Sequence, residues 1–414
     1  MVSVVAASIP AFLAFSGQSL PSADRSRERI TVVFHASKLT VNLVSDEDEG
    51  PDLENLFHAL KGESQQARQR AIVALAQLDP KRLGPIVPLL RLLIYDSDPE
   101  QANAAIAVLS NMAPSGTEAI APLVELLDWE GYERMRAHLA VRGLSSFGKN
   151  AVPWLIRALP NYFASDALGR IGPEAADAAP ALVRALDSKQ FEIQRVYAAL
   201  ALAEIGPTAR KVAPRVREIY EQEKKTPKVP SPLIHVTVCL VRLEAKPDPI
   251  LVAEIRSFAR GKDPFHSRRA AFELARLDEK DPDGLPFLIG KLKSNDRMQV
   301  AELLGKLGTK GKGAIGQLED WALDDGKDAS DRGHALRALA GIDPAGALLT
   351  LAKLSKHKDR YLRRMVIRIL EPMEASADKI IPILRGIAKE DEVDWVREAA
   401  EDAIKKIERL KKKK

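Results

Sequence analysis

The sequence predicts an all-α fold, an α-solenoid (an α-α superhelix) of about eleven stacked helical hairpins behind a short irregular N-terminal segment. Three observations predict it. The 414 residues are 46% hydrophobic but only 5% aromatic, so the apolar content lies in Ala, Leu, Ile and Val, which suits helix-on-helix packing better than a sandwich of sheets. A small or apolar residue followed by proline and an apolar stretch recurs along the chain. An Ala-x-Ala-Leu run ending in Gly or Asp recurs between those prolines. Disorder, collagen and a helical membrane bundle are excluded by the same composition and by the lack of an 18-residue apolar window.

Residues 1–51 do not share this pattern. Val4 to Phe15 is apolar, but Pro10 interrupts it and no Lys or Arg precedes Arg25, which is a poor match to a secretory signal. A cytoplasmic protein is expected; it would be secreted or periplasmic if residues 1–20 act as a signal. Ile30 to Phe34 and Leu39 to Val44 are β-branched runs about an Ala-Ser-Lys turn and permit a small β-hairpin. The acidic run Asp46 to Glu49 and Gly50-Pro51 then form a linker.

From residue 52 a unit of about 33 residues repeats, which sets the architecture before any element is assigned. Pro88, Pro122, Pro153, Pro180, Pro214, Pro286 and Pro382 each open an apolar stretch, with spacings of 34, 31, 27, 34, 72 and 96 residues. Proline is tolerated in a first helical turn, where its missing N–H has no intrahelical partner. Each therefore marks the start of a first helix. A second helix follows at Ala71–Leu78, Ala164–Ile171, Ala198–Ile205, Val300–Leu307 and Ala335–Ile342, with apolar residues three and four apart forming one buried stripe. Gly or Asp, usually followed by Pro, stops it. The units run 52–82, 83–117, 118–148, 149–174, 175–209, 210–247, 248–281, 282–312, 313–344, 345–377 and 378–414. The repeat array spans 52–410, and 411–414 is a basic tail. The segment from Glu221 to Pro232 reads as a charged, proline-bearing loop.

Aligned on the second-helix Ala-Leu step, an arginine fills one slot at Arg68, Arg195, Arg297, Arg332, Arg363 and Arg397. The other units carry Ala102, Ala137, Asn161, Leu233 and Ser267 there. With the first-helix proline and the Ala-x-Ala-Leu-x-x-Ile-Gly ending, these residues resemble the HEAT-repeat family, in particular the HEAT-like repeats named after phycobilisome lyases, over about residues 52–410. The resemblance implies a right-handed superhelix with second helices lining the concave side. It also implies a ladder in which the slot arginine bonds an aspartate of the turn before the second helix. Asp391 precedes Arg397 at the expected distance, whereas Asp187 and Asp359 are displaced and Arg68 has no comparable aspartate, so a partial ladder is expected.

Charge says little about partners. The net charge of +5 arises from 62 basic and 57 acidic residues, and removing Lys406–Lys414 leaves 56 against 56. The body is neutral, which disfavours general capture of polyanions. The single cysteine, Cys239, excludes an internal disulfide and a cysteine-based metal site, and its apolar run predicts an inert core thiol. None of the seven histidines lies three or four residues from another, so no helix offers a histidine pair to a metal. None is followed by Glu, unlike the His-Glu pairs of HEAT-like iron hydroxylases. Gly305–Gly316 lacks the spacing of a phosphate loop and reads as a loose connection. Trp154 and Trp321 are expected in the core.

The expected protein therefore has no catalytic, cofactor-binding or metal-binding residues and needs no cofactor. It is a protein-binding scaffold or adaptor whose partner is another protein or an extended peptide. The candidate partner patch is Arg360, Arg364 and Arg368, spaced by four so as to share a helix face, with Lys356. Two alternatives stand beside it: an accessory role like that of bilin lyases, and nucleic-acid binding.

Overall fold

The computed structural model describes residues 30–35, 38–43, 53–61 and most of 64–412; residues 1–29, 36–37, 44–52, 62–63, 65–66, 69, 72–73, 76–77, 79, 129–133, 189–190, 226–229, 245, 374–375 and 413–414 are not described. The signal-like stretch, the acidic linker, Trp129 and the last two lysines thus lie outside the described residues. The chain forms two compact units, Met1–Asn111 and Met112–Lys414.

The first unit holds an antiparallel hairpin, β1 (Ile30–His35) and β2 (Lys38–Leu43), with Ile30 opposite Leu43 and His35 opposite Lys38. Helices α1 (Leu53–Lys61), α2 (Val87–Leu93) and α3 (Pro99–Asn111) follow. Their buried residues are small aliphatics such as Leu90, Ala105, Ile106 and Leu109.

The second unit contains nine helical hairpins among the described residues. They are α4 (Ile120–Glu125) with α5 (Arg134–Ser146), α6 (Val152–Ala158) with α7 (Tyr162–Ile171), and α8 (Ala179–Asp187) with α9 (Glu192–Ile205). Next come α10 (Ala213–Lys225) with α11 (Pro230–Leu243), α12 (Pro249–Ala259) with α13 (Pro264–Leu277), and α14 (Leu285–Lys291) with α15 (Arg297–Lys306). The last three are α16 (Ile315–Leu323) with α17 (Ala329–Ile342), α18 (Pro344–Leu354) with α19 (Arg360–Leu370), and α20 (Ala377–Glu390) with α21 (Asp394–Lys412). Each second helix packs on the next, from α5 through to α21. A single hairpin could not bury its stripe alone; the stack does so jointly, and one core runs from Ala271 to Ile407. The fold is an all-α solenoid.

The helix signals act as the residue types dictate. Pro88, Pro153, Pro180, Pro214 and Pro286 are the second residues of their helices, where the N–H is not required. Pro382 differs: α20 begins at Ala377, so this proline is inside the helix rather than at its start. Second helices α7, α9 and α15 end at Gly172 (φ 71°), Gly206 (φ 66°) and Gly308 (φ 56°), a conformation that a Cβ would strain. Side chains cap six of the other starts. Asn161 Oδ1 accepts from Phe163 N at 2.8 Å, and Asp248, Asp263, Asp328, Asp343 and Asp359 cap α12, α13, α17, α18 and α19.

Three expectations need correction. Gly305–Gly316 is not a loose connection. Residues Gly308–Ala314 form a 3-10 helix, and a Cβ on Gly341 would stand 2.7 Å from the carbonyl oxygen of Gly305, so these glycines let α15 and α17 meet backbone to backbone. The charged stretch after Glu221 is not all loop, because α10 continues to Lys225. Trp154 is not in the core. Val152 and Leu155 fill the buried stripe of α6, and Trp154 stays 39% exposed with the Arg157 guanidinium 5.9 Å from its ring. Trp321 is buried as expected, and Cys239 is a fully buried thiol whose pKa burial pushes up.

Candidate functional site

The slot arginines tie hairpins together, but with a different register from the one the resemblance implied. Arg68 Nη2 lies 3.1 Å from Asp98, in the turn before the second helix of the following unit. Arg363 makes a two-pronged pair with Asp391, 2.6 Å from Nε and 2.8 Å from Nη2, again one unit ahead. The Asp391 carboxylate therefore serves Arg363, and Arg397 takes the Asp391 backbone carbonyl at 2.6 Å and the side chain of Asp394. Arg68 does have an aspartate; it lies downstream rather than upstream. Arg297 reaches Asp331 at 2.5 Å, and Arg195 reaches Glu223, each one hairpin on. Arg332 bonds the Ala322 carbonyl at 2.7 Å and Asp325 at 2.9 Å, where His357 of the next hairpin joins it. Asp187 pairs with Arg215 instead, and Asp359 caps α19. In the arginine-free slots, Asn161 donates to the Leu127 carbonyl at 2.8 Å, and Arg268, one place after Ser267, pairs with Asp296 at 2.6 Å. Burial opposes the charge on Asp391, yet the Arg363 hydrogen bonds hold its carboxyl below the usual range.

The candidate patch divides. Arg360, Arg364 and Arg368 are exposed on one face of α19. Arg360 stacks on Tyr361 at 5.1 Å, and Arg364 on Trp395 at 5.4 Å. Arg364 and Arg368, with Tyr361, Met365 and Ser330, line a shallow groove of about 390 Å³ between the starts of α17 and α19. Lys356 does not join them. It lines a separate cleft of about 690 Å³ between α18 and α20, with Arg363, Glu390 and Asp391, because the turn after α18 carries it to the first-helix side. Arg337 of α17 takes its place. It is exposed, its Nη1 lies 3.3 Å from the Met365 sulfur, and burial together with the Arg368 charge lowers its pKa. Among the described residues none of these four arginines pairs with a carboxylate.

A second feature escaped the sequence reading. The second residue of a second helix is an exposed apolar side chain at Met135 (63% exposed), Ile193 (45%), Phe265 (55%), Met298 (39%) and Tyr361 (58%), and Trp395 is half-buried in the same position of α21. The position gives a row on the second helices that is interrupted at α7, where Phe163 is buried, and at α11 and α17, which carry Ser231 and Ser330. Aligning helix starts, rather than the buried stripe, would have revealed it. Tyr162 adds to the row on α7, accepting from Arg134 Nε at 2.9 Å and lying 5.3 Å from Tyr197.

An ionic cluster occupies the middle of this face. Arg242 of α11 holds Glu273 of α13 with two prongs, 3.0 Å from Nε and 2.6 Å from Nη2, and lies 2.8 Å from Glu204 of α9. Arg276 also bonds Glu273, at 2.8 Å. Burial alone would raise the Glu273 pKa, but Arg242, Arg269 and Arg276 together hold it well below the ordinary range. Further along, Glu302 is held low by Lys306 first and, among smaller effects, by Arg170 of α7, four hairpins earlier.

The structure brings His235 and His266 to 6.4 Å between ring centroids, a juxtaposition that spacing along one helix could not reveal. Among the described residues no group of three or more His, Cys, Asp or Glu is placed to hold a metal. No helix among them is long and apolar enough to cross a membrane.

A family model described as HEAT repeats matches residues 53–142 and 321–405. A sequence search of curated proteins found no match. Among solved structures, the chain is similar to yeast importin-beta (10% identity, TM-score 0.38, covering 87% of this chain and 57% of that one). It is also similar to the complex of CpcE and CpcF of phycocyanin lyase from Nostoc (18% identity, TM-score 0.33, 70% and 94%) and to human deoxyhypusine hydroxylase (20% identity, TM-score 0.30, 72% and 98%). The chain spans a little over half the length of importin-beta.

Proposed function

Residues 53–142 and 321–405 being HEAT repeats, we propose that this solenoid is a non-enzymatic scaffold that docks another protein, in extended form, along its second-helix face. The observation that carries the reading is the row Met135, Ile193, Phe265, Met298 and Tyr361, exposed at one repeated helix position. Large apolar side chains scattered singly need no explanation, whereas their recurrence at one position of five second helices supports an interaction surface. The row ends at the guanidinium cluster of Arg337, Arg360, Arg364 and Arg368, none of which makes an ion pair among the described residues, with Arg360 stacked on Tyr361 and Arg364 on Trp395. Such a surface fits a segment that offers apolar anchors and ends in acidic residues. The buried thiol of Cys239 suits a reducing cytoplasm.

The test is affinity capture from the native cell, followed by titration of the captured protein against purified solenoid. The double variant Phe265→Ser/Tyr361→Ser should lose most of the affinity with an unchanged melting temperature, and Arg364→Glu should weaken binding and reduce its salt dependence. Unaltered affinity in both variants would overturn the docking surface. A steep salt dependence for duplex DNA or RNA, removed by Arg364→Glu, would instead support the nucleic-acid alternative.

A further inference from the structure

The ionic cluster on the second-helix face is unbalanced. Three guanidiniums (Arg242, Arg269 and Arg276) meet two carboxylates, Glu204 and Glu273. Arg242 is satisfied: its Nε and Nη2 clasp Glu273 in the side-on, two-pronged geometry that matches a planar carboxylate. The same edge holds Asp283 on Arg260 and Asp391 on Arg363. On Arg269 this edge has no such partner. Its Nε and Nη2 are both shut off from solvent and make no hydrogen bond, although Nη2 lies 3.3 Å from Glu273 Oε1 and 3.9 Å from Glu204 Oε1. Glu273 already accepts from Arg242 and Arg276, which leaves it poorly directed toward a third donor.

A second polar group nearby is in the same condition. His235 of α11 is 1% exposed, and neither ring nitrogen has a hydrogen-bond partner. Its ring packs on His266, one turn before Arg269 on α13. Buried donors in a native protein are almost always paired, so two adjacent side chains with four unpaired nitrogens call for a specific explanation. A hydrophobic ligand would leave all four unpaired. A metal would be repelled by Arg269. A carboxylate would accept from the free edge of Arg269, give His235 a partner, and bring the cluster to three charges of each sign.

We propose that the Nε–Nη2 edge of Arg269, with His235 as a second polar contact, is a receptor for one carboxylate group reaching the second-helix face between α11 and α13. The site is separate from the arginine groove near α19, whereas Phe265 of the docking row packs against His235 and His266. The carboxylate comes either from a free small acid or from a side chain of a bound peptide, and the two sources share the same chemistry.

The test uses the full chain, labelled with ¹⁵N, and follows arginine Nε–H resonances at constant ionic strength. Glutarate is the free probe and a peptide of seven glutamates is the tethered one. The Arg269 resonance, assigned through its backbone connectivity, should shift saturably with at least one probe, and the Arg242 and Arg276 resonances report binding in the variants. Arg269→Lys keeps the charge but lacks the two-pronged edge, and should bind about tenfold more weakly. Arg364→Glu, in the separate groove, should bind glutarate as the unaltered protein does. Binding of the peptide alone assigns the carboxylate to a peptide side chain, and equal site affinity for glutarate assigns it to a free acid. The wild-type titration decides the matter even if a variant fails to fold. No shift with either probe, the same shift with chloride, or full binding by Arg269→Lys overturns the proposal.

Discussion

Replacing His235 with leucine should abolish a specific acid sensitivity of the middle hairpins. His235 is buried to 1% exposure, and its pKa is lowered to about 3, first by desolvation and then by the charges of Arg269 and His266. The groups that act on it are Arg269 and His266 of α13, and no carboxylate accepts from its ring. The neutral ring is thus the native form, while an unfolded histidine takes up a proton below about pH 6.5. Between those values the unfolded state binds more protons, so stability rises with pH through this window and is lost as pH falls from about 6.5 toward 3. At pH 5 the gap is about 1.5 pH units at about 1.4 kcal/mol per unit, or about 2 kcal/mol.

Repeat arrays open in parts, so the assay is hydrogen exchange of the α11 amides, Val236 to Leu243, corrected for intrinsic rates. From pH 7 to pH 5 the opening free energy of these amides should fall about 2 kcal/mol further in the unaltered protein than in His235→Leu. Groups remote from position 235 contribute equally in both proteins and cancel in the difference. At pH 7 the variant should be at least as stable, since leucine removes two unpaired buried polar atoms. Equal losses of protection in the two proteins would refute the reasoning.

Other outcomes follow from the same packing. Glu273→Ala strips a buried carboxylate from Arg242, Arg269 and Arg276 and should cost about 3–5 kcal/mol by thermal melting. Gly341→Ala places a Cβ 2.7 Å from the Gly305 carbonyl oxygen; prising α15 from α17 should cost about 1–3 kcal/mol, measured by urea unfolding. Leu202→Ala, at a fully buried position of α9, should cost about 2–5 kcal/mol by melting. Arg363→Lys loses the two-pronged grip on Asp391, and exchange protection at the start of α21 should fall while that of α9 stays unchanged.

What the sequence could disclose was the periodic part. Proline in a first turn, alanine along the buried stripe and glycine at a positive φ are local requirements of a helix, and each is visible within one unit. The short 3-10 turns that lead into first helices, such as Gly172–Ala178 and Gly206–Val212, carry no period of their own and stayed hidden. The arginine ladder was visible as a slot but was assigned the wrong direction. A spacing within one unit cannot distinguish an aspartate upstream of Arg397 from one downstream of Arg363. Glu273 was hidden for a related reason. Its position six places after the slot holds Ala201, Cys239 and Ala338 in other units, and only Arg242 from the neighbouring helix shows why a carboxylate is tolerated there.

The arginines of this surface fall into two groups. Arg68, Arg297 and Arg363 meet acids of the following hairpin, and Arg242 meets Glu273. Their charge is absorbed in holding the array together. Arg337, Arg360 and Arg364 have the same side chain but rest on methionine and aromatic rings, which spread the guanidinium without neutralising it, and Arg368 lines the same groove. A cluster of like charges destabilises the chain that bears it unless something else balances it. α17 and α19 are joined through buried aliphatics such as Leu336, Val366 and Leu370. The position of these four arginines at the end of an exposed apolar row is what a docking surface requires: apolar anchors for affinity, and an uncompensated charge for direction and register.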